Sequence, residues 1–279
     1  MFGRERIELK TPAQIVAMRA AGLVVADALA AVREAAAPGV STAELDAVAA
    51  RVIAQAGATP SFVGVDGGYG APPYPATTCI SVNDEIVHGI PGERVLEPGD
   101  VLSVDCGAIV DGWHGDSAFS MVLDPADPAD VALVEVTEAA MWAGIAALVS
   151  ADRLGAVGDA VEDATRRAPV RYGIVQEYTG HGIGREMHES PTVVNYRSRE
   201  RGPRVRPGLC VAVEPMLTRG TQETAELDDG WTVVTQDGSR AAHWEHTVAV
   251  TEAGLWVLTA PDGGAARLGA LGIAVAPLA

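Results

Sequence analysis

The segment Pro98-Gly99-Asp100-Val101-Leu102-Ser103-Val104-Asp105 returns 109 positions later as Pro207-Gly208-Leu209-Cys210-Val211-Ala212-Val213-Glu214. In both copies a Pro-Gly turn leads into an apolar run that reads as a strand and carries an acid at the same step. Working outward, the helix pair ahead of each copy repeats as well, with Asp46-Ala47-Val48 against Asp159-Ala160-Val161. The chain therefore duplicates a unit of about 110 residues. Folding one unit against its twin brings Asp105 and Glu214 to the pseudo-symmetric interface, a favoured place for a ligand cleft.

The surrounding elements follow from local pattern. Residues 11–33 read as a helix, with Thr11-Pro12 as cap and first turn and Ile15, Met18, Leu23, Val25 and Leu29 as its apolar positions. Pro38-Gly39 ends it, and Ser41-Thr42-Ala43-Glu44 carries the capping pattern that opens a second helix to about 56. The stretch 62–75 is a loop rich in Gly and Pro. Strands are expected over 77–82, 101–110 and 117–123, with Asp111-Gly112 as a hairpin turn. The second half repeats the order, with helices over 130–150 and 157–167 and strands over 209–217, 231–235 and 246–251. The fold class is thus α/β (α+β). One catalytic domain is expected over 1–262, with halves 11–125 and 129–260, followed by a loosely held tail over 263–279.

Composition narrows the function. The 279 residues are 48% hydrophobic and 20% charged, as in an ordinary globular protein. A net charge of −17 opposes nucleic-acid binding by overall charge, so DNA is not an expected partner. Cys79, Cys106 and Cys210 form no CxxC pair and no even disulfide set, which points to a reducing compartment. The start, MFGRERIELKTP, lacks the apolar core of a signal peptide, and uncharged apolar runs such as 141–151 fall short of the ~18 residues of a membrane span. A cytoplasmic protein without a membrane partner is expected.

Two carboxylates flank the hairpin turn. With a two-residue turn at Asp111-Gly112, Asp105 opposes Ala118, and Asp116 is a diagonal neighbour on the same face at roughly 7 Å. Such a pair repels unless a cation or a proton sits between its members. Gly180-His181-Gly182-Ile183-Gly184, followed by His188, leaves an imidazole uncovered among glycines. Glu214 and Glu245 stand at the ends of strand-like runs, where burial demands a partner. Each of these residues alone has an ordinary structural explanation, as a turn polar group, a satisfied histidine or an ion pair. Together they form an oxygen-rich set with room for two divalent ions such as Mn, Fe, Co or Zn. Two ions ~3.5–4 Å apart suit hydrolysis of a carbonyl compound. No G-x-S-x-G elbow, Walker loop or GxGxxG motif competes.

The motifs Cys79-Ile80-Ser81-Val82-Asn83, His88-Gly89-Ile90-Pro91, Asp111-Gly112-Trp113-His114-Gly115-Asp116, Val213-Glu214-Pro215-Met216 and Glu245-His246-Thr247 add specificity. With them the chain resembles the type I methionine aminopeptidases, members of the pita-bread metallopeptidases, over about residues 5–260. The resemblance implies a pseudo-twofold sheet, mostly antiparallel and curved, with helices on its outer face. It implies removal of the initiator methionine from nascent polypeptide N-termini when the second residue is small, by a hydroxide held between two metal ions. Asp105, Asp116, His181, Glu214 and Glu245 would be the metal ligands, Asp116 and Glu245 bridging. His88 would contact the scissile amide, His188 would donate to its carbonyl oxygen, and Glu214 would carry the proton. Cys79, Tyr74 and Trp231 match positions lining the methionine pocket.

The chain departs from the family pattern at Asp84-Glu85, at Met187 and in the loop Gly70-Ala71-Pro72-Pro73-Tyr74, none of them a metal ligand. Prolidases and proline-specific aminopeptidases share the ligand set but carry an N-terminal domain, for which a helix starting at about 11 leaves no room. Type II methionine aminopeptidases carry an insert between the last two glutamates, which here are 31 positions apart. A metal-free binding protein of this fold would have lost ligands. The five arginines Arg197, Arg199, Arg201, Arg204 and Arg206 form either a solvated loop paired with acids or a contact with ribosomal RNA. A monomer is expected.

Overall fold

The computed structural model describes residues 7–67 and 71–278; the first six residues of the quoted start and Gly70 of the pocket-rim loop lie outside them. The first half contains α1 (Pro12–Ala35), α2 (Thr42–Gln55), β1 (Thr59–Pro60), β2 (Thr78–Val82), β3 (Glu85–Val87), β4 (Val101–Val110) and β5 (Trp113–Val122). The second opens with α3 (Pro128–Ala147) and α4 (Ala156–Arg166), then β6 (Gly173–Ile174), β7 (Gly180–Gly182), β8 (Glu189–Val193) and β9 (Cys210–Val213). It continues through β10 (Met216–Thr218), β11 (Thr224–Glu226), β12 (Val233–Thr235), β13 (Ala241–His243), β14 (Glu245–Thr251), β15 (Gly254–Val257) and α5 (Ala265–Ala270).

Local chemistry accounts for the helix starts. Thr11 and Ser41 each cap a helix, and each receives the reciprocal side-chain contact, from Gln14 and Glu44 respectively. α1 is long and apolar enough to cross a membrane by length and composition. Here its face of Ile15, Met18, Val25, Leu29 and Val32 is buried in the protein.

Nine strands form one curved antiparallel sheet, with the central order β1-β4-β5-β14-β9-β7-β8, β2 beside β4 and β15 beside β14. The duplication is visible in its hydrogen bonds. Gly99 N–H donates to Leu123 O (3.0 Å) and Leu123 N–H to Asp100 O (2.9 Å); Gly208 N–H donates to Val250 O and Val250 N–H to Leu209 O (both 2.8 Å). α1 and α2 pack on Val104, Cys106, Ala108 and Phe119, while α3 and α4 pack on Val211, Val213 and Val248. Side chains alternate across a strand, so Asp105 and Glu214 point to the face away from the helices.

The hairpin has the expected register, Asp105 opposite Ala118 and Asp116 opposite Gly107. Asp111 (φ 51°) and Gly112 (φ 75°) both take positive φ, as a two-residue hairpin turn requires. Three expectations differ. β5 starts at Trp113 rather than 117, because the tight turn lets pairing begin at once. The expected strand over 209–217 divides at Glu214-Pro215 into β9 and β10, which belong to different sheets. Pro215 has no N–H to continue the ladder. The tail expected to be loose carries α5, and its Leu268 is fully buried among Trp142, Leu255 and Val257.

Candidate active site

Both halves deliver side chains to one cavity of about 220 Å³, lined by Asp105, Asp116, His181, Glu214, Glu245, His88 and His188, with Tyr74, Cys79 and Trp231 at one side. All ten residues singled out from the sequence are thus brought together. Asp105 and Asp116 come from the β4–β5 hairpin, His181 from β7, and Glu214 from the break after β9. Glu245 is the first residue of β14, opposite Ala118 in β5 and one step from the His246–Val213 pair of β9. That strand joins the two halves.

The glycines around His181 have a packing reason. A Cβ on Gly180 would lie 2.4 Å from Ala212 O, and one on Gly182 would lie 2.3 Å from Ser190 O. β7 is squeezed between β8 and β9, which seats His181 deep in the sheet. Its Nε2 lies 3.3 Å from Glu214 Oε1 and 4.0 Å from Asp116 Oδ2, and its ring stands edge-on to His188 at 4.4 Å.

Four carboxylates meet here out of water. Burial pushes Asp105 up to about 7 and drives Asp116, Glu214 and Glu245 well above the usual carboxylate range, with their neighbours adding to the last three. Burial also lowers His181 to about 3 and His88 to about 4, so both rings are neutral at pH 7. Asp105 Oδ1, Asp116 Oδ1 and Glu245 Oε1 are buried with no hydrogen-bond partner. Buried acceptors of this kind ask for a cation. Ligand atoms of Asp116, His181 and Glu245 lie within 4.8 Å of one another, as do those of Glu214, His243 and Glu245. Carboxylates with neutral imidazoles suit a catalytic divalent ion, and no thiolate joins them. A larger open cleft of about 840 Å³ between Glu162 and Gln222 contains neither of these clusters.

The apolar side of the cavity is tied together by ring contacts and hydrogen bonds. Tyr74 and Trp231 meet edge to face at 5.0 Å, and the Tyr74 hydroxyl lies 3.0 Å from the carbonyls of Thr78 and Gly89. Trp231 Nε1 donates to Pro72 O at 2.7 Å. Phe62, Val65, Ile90 and Met187 complete this wall with Cys79. His88 sits at φ 60°, a backbone form unusual for a side-chain-bearing residue, and its ring packs edge-on against Tyr178 and Trp231.

His243 was not picked out from the sequence as a site residue, although it lines up with Glu245 at alternate positions. Phe62 and Tyr178 were also missed, since single aromatics in loops carry no periodic signal. Of the basic loop, Arg197 pairs with Asp159 (3.0 Å) and Asp163 (2.8 Å), and Arg204 with Asp152 (2.8 Å).

A buried carboxylate–imidazole cluster beside an apolar pocket, on a duplicated antiparallel sheet, defines a metal-dependent hydrolase of the pita-bread fold. The model of metallopeptidase family M24 matches residues 16–252, and the chain belongs to that family. It is 52% identical to methionine aminopeptidase 1 of Mycobacterium tuberculosis, covering 92% of this chain and 96% of that one. The crystal structure of methionine aminopeptidase from Thermotoga maritima superposes with a TM-score of 0.85 at 37% identity, covering 91% of this chain and 99% of the other. Prolidase from Pyrococcus furiosus shares the fold alone, with a TM-score of 0.70 at 19% identity over 90% of this chain and 65% of that one. As a metallopeptidase with these acids, the chain binds divalent metal.

Proposed function

We infer that this chain is a methionine aminopeptidase that hydrolyses the initiator methionine from nascent protein N-termini when the second residue is small. The observation that carries it is the buried cluster Asp105, Asp116, His181, Glu214 and Glu245 beside an apolar wall of the same cavity, in a chain 52% identical to such an enzyme over nearly its whole length. Prolidase-like activity is less supported, since likeness on that side stops at the fold.

The five clustered residues would hold two divalent ions drawn from Mn, Fe, Co or Zn, with Asp116 and Glu245 shared, Asp105 on one and His181 with Glu214 on the other. Bound ions supply Lewis-acid polarisation of the scissile carbonyl and a more acidic water. Cys79, Tyr74 and Trp231 bury the thioether side chain, which suits an irregular apolar slot. His88 contacts the scissile amide near its nitrogen. His188, an exposed member of the cavity lining, donates to the carbonyl oxygen as charge develops there. Glu214 takes the proton from the attacking water and passes it to the leaving amine as the C–N bond breaks. A large second residue would push the carbonyl away from His88 and His188, and ~1 Å of misplacement can cost ~100-fold.

Ligands come from both halves, 11–125 and 129–260, so 1–262 would act as one catalytic domain, monomeric and cytoplasmic. Arg199, Arg201 and Arg206 would carry any ribosome contact, with Arg197 and Arg204 already engaged by acids.

Assaying Met-Ala-Ser, Met-Leu and Xaa-Pro peptides on metal-free protein, with each metal restored in turn, tests the reading. Met-Ala-Ser should be cut, with kcat/KM about 100-fold above Met-Leu, and Glu245→Ala should abolish turnover and lower bound metal. Equal rates on Met-Ala and Met-Leu, or preference for Xaa-Pro, would overturn it.

A further inference from the structure

His243 ends β13, and nothing in the function above gives it a task. Its backbone is gripped on both sides by one hydroxyl. The His243 N–H donates to Ser120 Oγ (2.9 Å), and Ser120 Oγ donates to His243 O (2.8 Å). Ser120 is itself 2.7 Å from Ser103 Oγ on the neighbouring strand β4. Across the small sheet His243 pairs with Met216, two residues beyond Glu214. This framework delivers the ring to Glu214, with Nε2 3.7 Å from Oε2. The other oxygen, Oε1, faces His181. The two carboxylate oxygens therefore meet two different imidazoles, and His243 Nε2 is buried with no hydrogen-bond partner of its own. A buried ring nitrogen left unpaired is costly, and the nearby carboxylate oxygen is an acceptor within a small movement of it.

We propose that His243 is a positioning residue for Glu214: its Nε2–H donates to Oε2 and turns Oε1 toward His181. Carboxylates that ligate metals are themselves held by hydrogen bonds, and losing such a partner typically costs ~10–100-fold in metal affinity or activity. Orientation of Glu214 also decides where the proton it carries is released. The proposal rests on the ligand and proton-carrying roles given to Glu214 above.

The test compares parent, His243→Leu and His243→Gln. Calorimetric titration of the metal-free proteins with Co²⁺ should show one ion bound ~10–100-fold more weakly in His243→Leu, the other little changed. Its kcat on Met-Ala-Ser should fall by a similar factor, with KM within about 2-fold. In His243→Gln the amide N–H reaches the same oxygen, so affinity and kcat should largely return, and the visible absorption bands of bound Co²⁺ should match the parent's. Thermal unfolding of each metal-free protein separates these effects from loss of the fold. Equal affinity in His243→Leu and parent overturns the proposal, as does a His243→Gln no better than His243→Leu. Altered Co²⁺ bands in His243→Gln would make the ring a ligand instead. Failure of the aminopeptidase reading looks different: the parent itself would bind Co²⁺ and leave Met-Ala-Ser intact.

Discussion

The rings of His188 and His181 stand edge to face with centroids 4.4 Å apart, yet their surroundings give them different work. His181 is buried between glycines among carboxylates, whereas His188 follows the exposed Arg185 and Glu186 and is itself an exposed member of the cavity lining. A group that donates only to charge developing on the carbonyl oxygen contributes to kcat more than to binding. His188→Ala should therefore lower kcat by ~10²–10³ while KM moves little, as for removal of one oxyanion donor. Steady-state kinetics on Met-Ala-Ser checks it, and a raised KM at unchanged kcat would make His188 a binding residue. At this scale much of the site was legible in the sequence, because acids inside apolar runs and histidines among glycines are locally anomalous. His243 was not, for a physical reason. Its neighbour Glu214 is 29 positions away, and only the β10–β13 pairing, hidden in three-residue strands, brings them together.

Elements were legible in proportion to their length. The hairpin β4–β5 and the helices α1 to α4 span enough residues to display a period, and the hairpin turn and the caps of α1 to α3 carry the residues the geometry needs. β6, β7, β10 and β13 have two or three residues each, too few for alternation to be read, and Pro215 divides what the apolar run presents as one strand. The C-terminal segment misled in the opposite direction. Its small and apolar residues look unstructured, but Asp262 accepts backbone N–H groups from Gly264 and Ala266, and Ala276 N–H donates to Leu255 O. α5 is thereby closed onto α3, with Arg267 paired to Glu138 and Leu268 filling the core. Leu268→Ala should cost about 2–5 kcal/mol, the range for a fully buried leucine. α5 lines none of the catalytic cavity, so kcat/KM at 25 °C should stay within 2-fold while chemical denaturation shifts to lower midpoint. An unchanged midpoint would return this segment to the status of a loose tail.

For the molecule as a whole, the duplication concentrates a penalty at its own centre. A chain of net charge −17 sends Asp105 and Asp116 from one half and Glu214 and Glu245 from the other into one buried cavity, joined through β14. Burial raises all four, Asp105 to about 7, so without a cation the folded protein retains protons that the unfolded chain would have released near pH 4. The sign follows directly. A carboxyl raised in the folded state contributes stability that is complete below the unfolded pKa and is lost as pH rises through the folded one. Above about pH 7, where the histidines are neutral in the unfolded chain too, metal-free protein should thus lose thermal stability relative to metal-loaded protein. At lower pH those histidines, neutral in the fold and protonated when unfolded, act in the opposite direction. Loading must displace those protons, because a cation competes for the same oxygens. His181 and His88 add nothing to that proton release, since both are already neutral at these pH values. Calorimetry of Mn²⁺ binding at pH 6.5, in two buffers of different ionisation enthalpy, should therefore show net proton release that shrinks by pH 8. Glu245→Ala, lacking one of the four acids, should release fewer protons at pH 6.5. Binding without proton release at pH 6.5 would mean that the four carboxylates are already ionised in the metal-free fold, their charge balanced by something other than protons.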